Sequence, residues 1–147
     1  MLNDLAVGDR LETEHVTVDG PSMKVFSVIM KDPNPIHFDP VVLQKLGLGT
    51  KPVNQGTINM AYPINALLRL VDSPAQLKSF RCRFQGNLFA GDELVVDGVV
   101  TGMDDATVTI DVWVERTSDG QRAVSGSAVL GRSEDRERSR RGQSEIE

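Results

Sequence analysis

From Phe80 onward the apolar residues fall on every second position. Phe80, Cys82 and Phe84 alternate with Ser79, Arg81 and Arg83. Leu94, Val96, Gly98 and Val100 repeat the pattern, then Val108, Ile110, Val112 and Val114, then Val124, Gly126, Ala128 and Leu130. A period of two marks strands, because successive side chains point to opposite faces of a sheet. Ser118-Asp119-Gly120 reads as a turn between two of them. Strands so close in sequence predict an antiparallel meander of about four. Such a sheet has an apolar face that must be covered, and the first half of the chain has to supply the cover.

The first half is of a different kind. Val7-Gly8-Asp9 reads as a turn, and residues 11–18 as a short strand. Gly20-Pro21 starts a helix, since proline is tolerated at the first helical position. Met23, Phe26 and Met30 follow at helical spacing, with Val25 and Ile29 beside them, and are expected to face the core. Pro33 and Pro35 disfavour helical geometry in the residue before each, so the helix ends near Lys31-Asp32. Residues 32–40 then form a rigid loop. Residues 41–46 suit a short helical piece, closed by Gly47 and Gly49. A long helix is expected over 58–71. Pro63 lies inside it, at a cost of roughly 3 kcal/mol, so the helix kinks there or its regular part begins later. The fold class is therefore α+β, an antiparallel sheet packed around one long helix.

A chain of 147 residues suits one compact domain, expected over 1–131. After Gly131 almost nothing apolar remains, and 132–147 reads as a disordered, charged tail. The net charge of -5 argues against a nucleic-acid partner, which would need a basic footprint. No apolar run is long enough to span a bilayer, and residues 1–10 lack the pattern of a secretory leader. Cys82 is the single cysteine, so no internal disulfide or Cys-rich metal site is possible. A cytoplasmic protein without metal or cofactor is expected.

The chemistry concentrates in Asp32-Pro33-Asn34-Pro35-Ile36-His37-Phe38-Asp39-Pro40. The loop presents a carboxylate and an imidazole on a proline-stiffened backbone. Imidazole exchanges protons near neutral pH, and a neighbouring carboxylate can hold a water and move a second proton. Adding water across a double bond needs two such proton movements. Against this, Asp32 is also a common turn former, and His37 reads equally as a surface or core histidine.

The pattern Asp32-x-Asn34-Pro35-x-His37-x-Asp39 resembles the hallmark of MaoC-like dehydratases, the family that includes (R)-specific enoyl-CoA hydratases. Softer similarities lie at Val7-Gly8-Asp9, at Gly47-Leu48 with Lys51-Pro52-Val53, and at Gly91-Asp92-Glu93-Leu94. Together they cover roughly residues 5–131. The resemblance implies a hot-dog fold, a curved antiparallel sheet wrapped around a long central helix, paired as a homodimer or hot-dog heterodimer. It implies a thioester substrate carried on coenzyme A or an acyl-carrier protein. Asp32 and His37 would activate water, with Asn34 orienting the loop. Gly56, at the start of the central helix, would offer its N–H to the thioester carbonyl; read alone, it is a helix-start glycine.

The chain departs from that pattern in three places. Gln55 stands where the family usually has His before the helix glycine, Lys31 stands where Gly usually precedes the catalytic Asp, and Pro63 interrupts the helix. Gln55 would serve as a supporting residue. Asn54, Asn59 and Asn65 give the helix a polar line that suits a polar acyl group, a partner subunit, or plain packing and capping. Asn59 is accordingly a candidate substrate contact. Arg81 and Arg83 share a strand face suited to a phosphate, an acidic partner or plain solvation. His15 is expected to be structural or exposed, and Trp113 to pack in a dimer. Three functions follow as hypotheses: an enoyl-thioester hydratase or dehydratase, a non-catalytic or partner-dependent hot-dog subunit, and a hot-dog thioesterase.

Overall fold

A computed structural model describes residues 1–133. The expected tail falls, from residue 134, outside the described residues. The alternating segments form β2 (Leu77–Phe84), β3 (Glu93–Met103), β4 (Thr107–Arg116) and β5 (Arg122–Gly131), and β1 (Glu14–Thr17) precedes them. All pair antiparallel in one sheet of order β1-β3-β4-β5-β2. The meander is therefore real only from β3 to β5. The expectation of four sequential neighbours is corrected for β2, which lies on the far edge against β5. Residues 85–92 carry the chain across. Arg116 pins that crossing by donating to Asn87 O (3.1 Å) while its guanidinium reaches Asp92 (3.5 Å).

The period-two reading holds in the burial of β3, β4 and β5; on the edge strand β2, Phe80 and Cys82 are half-buried and the expected third member, Phe84, is 52% exposed. Leu94, Val96 and Val100, then Val108, Ile110, Val112 and Val114, then Val124, Ala128 and Leu130 are all buried on one face. Gly98 interrupts the series for a steric reason. A Cβ there would lie 2.7 Å from Asp111 O and 2.9 Å from Leu11 Cδ1, so the Leu11 side chain fills the space that a residue at 98 would occupy. The cover is helix α3 (Gly56–Leu68), which packs on β2, β3, β4 and β5 and buries Ala66 and Leu67. The helix begins two residues earlier than expected and runs through Pro63, which is itself buried.

Helix α1 (Gly20–Ile29) has proline in its first turn, as expected. Its expected apolar stripe is corrected. Met23 is buried, but its partner one turn on is Ser27, while Val25, Val28, Ile29 and Met30 are 53–78% exposed. Of its apolar residues only Met23 is buried in the core, and its C-terminal turn leads into the 32–40 loop. That loop contains a 3-10 turn, Pro35–His37, and leads into α2 (Pro40–Lys45).

Candidate active site

The site begins where α1 stops. Lys31 adopts a left-handed conformation (φ 52°). Its N–H reaches Val28 O (3.2 Å), and the Asp32 N–H reaches Ser27 O (2.9 Å). This pair of bonds satisfies the last carbonyls of the helix and turns the chain so that Asp32 leaves it in a fixed direction. The Asp32 carboxylate accepts the Asn34 N–H through Oδ1 (3.1 Å). Asn34 in turn accepts the Ile36 N–H (3.3 Å), capping the 3-10 turn that carries His37. Asp39 accepts from Val41 (2.9 Å) and starts α2. Each polar residue of the loop thus orders the next.

His37 and Asp32 meet. Nε2 of the imidazole lies 3.3 Å from Asp32 Oδ2. The other nitrogen, Nδ1, lies 2.6 Å from Val53 O. A carbonyl only accepts, so Nδ1 donates, and in the neutral ring Nε2 is left as the proton acceptor facing Asp32. Val53 is held for this task on both sides: its N–H donates to Ile36 O (2.9 Å), and it bridges to Phe89. His37 is 6% exposed, whereas the Asp32 side chain is 35% exposed. Solvent therefore reaches the pair from the carboxylate side. A cavity of about 480 Å³ opens there, lined by Lys24, Ser27, Val28, Asp32, Pro33 and Phe38.

Gly56 is the first residue of α3, so its N–H has no partner within the helix. It is exposed, and a Cβ built on it would lie 3.7 Å from the Phe84 ring. Only two residues, Asn54 and Gln55, separate it from Val53, a span of at most ~11 Å. The amide thus follows closely in sequence on the carbonyl that holds the imidazole. Gln55 precedes it, 2% exposed. It does not cap the helix; its Nε2 donates to Met23 O (2.9 Å) and Ser27 Oγ (3.0 Å) on α1.

The polar line on α3 divides. Asn54 donates to Asn59 Oδ1 (2.8 Å) and to Tyr62 Oη (3.0 Å), and both asparagines are buried. Burial pushes the Tyr62 phenol above its ordinary value, with the Asn54 bond opposing. Asn65 is exposed. Arg81 and Arg83 are not brought to the Asp32 cavity. They line a separate groove of about 650 Å³ on the other face of the sheet, with Trp113, Arg122, Ser125 and Ser127. The guanidinium carbons of Arg10 and Arg122 lie 5.1 and 4.3 Å from the Trp113 ring centroid, so this tryptophan has partners within its own chain. His15 is exposed. Among the described residues no group of His, Cys, Asp and Glu is placed to hold a metal ion, and no helix is long and apolar enough to cross a membrane. Ser27, Tyr62 and the Val53 carbonyl were not singled out from sequence. Ser27 had one signal, as the polar residue one turn from Met23.

The sequence pattern of the MaoC like domain matches residues 3–121. The chain belongs to the MaoC-like dehydratase family. The five-stranded antiparallel sheet packed on a helix is its hot-dog fold. An (R)-hydratase from A. caviae involved in PHA biosynthesis has a similar structure, with TM-score 0.72 and 21% identity over 86% of this chain and 96% of that one. So has a chain of the ChsH1-ChsH2 complex from Mycobacterium tuberculosis, with TM-score 0.75 and 18% identity over 87% of this chain and 98% of that one. In sequence, the fatty acid synthase beta subunit pkiC of Emericella nidulans is 28% identical over 111 residues. Those residues are 75% of this MaoC-like chain and 6% of the synthase subunit.

Proposed function

We propose that this MaoC-like protein adds water to a trans-2-enoyl thioester, or removes it from the 3-hydroxyacyl thioester in reverse. The observation that carries the proposal is the His37–Asp32 contact, with the imidazole tautomer set by Val53 O. A water seated on the open side of the pair, within reach of both the carboxylate and Nε2, is polarised by both. Its hydroxyl adds to Cβ, its released proton goes to the pair, and the pair returns one proton to Cα. The two groups end each turnover in their starting charge state. As the C–O bond forms, negative charge builds on the thioester oxygen. The Gly56 N–H is a fixed donor for it at the positive end of α3, and one such donor lowers a barrier by about 3 kcal/mol. Asn34 and Gln55 support this geometry. Asn59 lies one turn beyond Gly56 on α3 and is a candidate contact for the acyl group. Arg81 and Arg83 would meet phosphates of coenzyme A or an acidic carrier protein outside the acyl site.

The test is loss of the enoyl-thioester absorbance with purified protein and a panel of trans-2-enoyl-CoAs, short, long and bulky. Wild type consumes at least one member, and Asp32→Asn and His37→Ala each consume it at least ~100-fold more slowly. Wild-type rates in both variants would sink the reading. The bare apolar turns of α1 beside the Asp32 cavity favour a second reading, in which another hot-dog chain completes the site. A protein silent alone and active when mixed with such a partner supports it; full activity as a homodimer removes it.

A further inference from the structure

Five polar side chains are buried among the described residues: Ser27, His37, Asn54, Gln55 and Asn59. Asn54 and Asn59 bond to each other, and His37 belongs to the catalytic pair. The remaining two, Ser27 and Gln55, meet across the α1–α3 contact (3.0 Å). Both are covalently or directly bonded to the site. Gln55 immediately precedes Gly56, and Ser27 O accepts the Asp32 N–H (2.9 Å). Gln55 Nε2 grips the same helical turn twice, through Ser27 Oγ and Met23 O. A continuous path therefore runs from the Gly56 amide through Gln55 and Ser27 to Asp32.

We infer that Ser27 and Gln55 are positioning residues. Their bond holds the carbonyl-binding amide and the water-binding carboxylate at a fixed separation. The inference rests on the hydratase reading of the site and adds to it what keeps its two halves in register. Gln55 Oε1 strengthens the argument. It is sealed from solvent with no protein donor among the described residues, so its side chain is held to α1 through Nε2 alone. A side chain needed only to fill the space would do better as methionine, of similar length and without polar atoms. On losing Gln55, the Ser27 hydroxyl can turn to donate to Met23 O, one turn back on its own helix. Gln55→Met therefore removes the clamp without orphaning Ser27.

The experiment compares wild type, Gln55→Met, Ser27→Ala and the double variant. It measures kcat and KM on the best enoyl-CoA, hydrogen exchange at the Asp32 amide, and thermal midpoint. Gln55→Met, which removes both bonds to α1, loses about tenfold in kcat, and Ser27→Ala, which leaves the Gln55 bond to Met23 O, loses about threefold, each with KM within about twofold, since small misplacement already costs rate. The double variant is no worse than Gln55→Met, because that substitution already removes the bond to Ser27. Asp32 exchange accelerates at least about fivefold in Gln55→Met and about twofold in Ser27→Ala, while the Gln55→Met midpoint is retained. Wild-type kcat and wild-type Asp32 exchange in both single variants overturn the inference, as do rate losses that multiply in the double. Should Gln55→Met fail to fold, Ser27→Ala decides by the same readings. Should wild type consume no enoyl-CoA, the hydratase reading fails, and Asp32 exchange still decides the clamp: faster exchange upholds it and unchanged exchange overturns it.

Discussion

At the scale of single residues, the two departures that flank the site have different physical meanings. Lys31 pays a conformational cost. A side chain at φ 52° is disfavoured by about 1–2 kcal/mol relative to the right-handed region, and glycine avoids that cost while losing more entropy on folding. Lys31→Gly is therefore expected to stabilise the fold by roughly 0.5–1 kcal/mol, read as a higher urea midpoint with unchanged slope. Activity should stay within about twofold, because the Asp32 N–H keeps its bond to Ser27 O. Gly56 invites the opposite experiment. Gln55 has φ -64° and ψ 142°, the conformation that a following proline requires, and proline is at home in the first helical position. Gly56→Pro is expected to keep α3 and delete its first donor. A kcat reduced about 100- to 1000-fold at an unchanged melting temperature would fit the carbonyl role. Retained turnover would remove Gly56 from the mechanism.

At the scale of elements, what sequence revealed follows what is local. The alternating β segments, the proline that opens α1 and the loop that ends it were all legible, because period, ring constraint and turn chemistry act over a few residues. The edge position of β2 was not, since it depends on where an irregular crossing is pinned by Arg116. Nor was the exposure of Val28 and Ile29, which depends on what packs against α1 from distant parts of the chain. In the site, Asp32 and His37 could be named, while the Val53 carbonyl that sets the imidazole tautomer carries no side-chain signal at all. The hairpin turns offer a test at this scale. Asp104 is held below the usual carboxylate range, first by the Thr107 backbone N–H and then by that of Ala106. Asp119 is held down first by its bond to Arg116. A carboxyl depressed in the folded state contributes stability above its unfolded pKa and loses it as pH falls through the folded value. Both turns are thus expected to hold from neutral pH down to about pH 5 and to weaken progressively below about pH 4. Asp104→Asn should flatten the acid limb of stability against pH. Its difference from wild type should be largest near pH 7 and shrink as pH falls below about 4, checked by urea unfolding from neutral to acid pH.

At the scale of the whole molecule, the sheet ends in two open edges, and the longer one, β2, has a charge pattern that constrains any pairing. If two copies join along it about a twofold axis, residues directly opposite share a face of the sheet. Keeping Phe80 and Cys82 on the apolar side forces the outward residues Ser79, Arg81 and Arg83 to face one another. Near the centre of the strand, every such register sets arginine opposite or diagonal to arginine, where like charges repel. Neither arginine has an ion-pair partner among the described residues to offset this. Homodimerisation along β2 is therefore expected to strengthen with salt, since the Debye length falls from about 30 Å at 0.01 M to about 10 Å at 0.1 M. Sedimentation equilibrium at a fixed protein concentration should show the dimer fraction rising over that range. Arg81→Glu mixed with wild type should pair across the two chains in preference to either alone. A dimer that weakens with salt would place the seam elsewhere. A chain monomeric at every salt concentration, but captured by a second hot-dog chain with Asp or Glu on its outward edge, would mean that the arginines select against self-pairing.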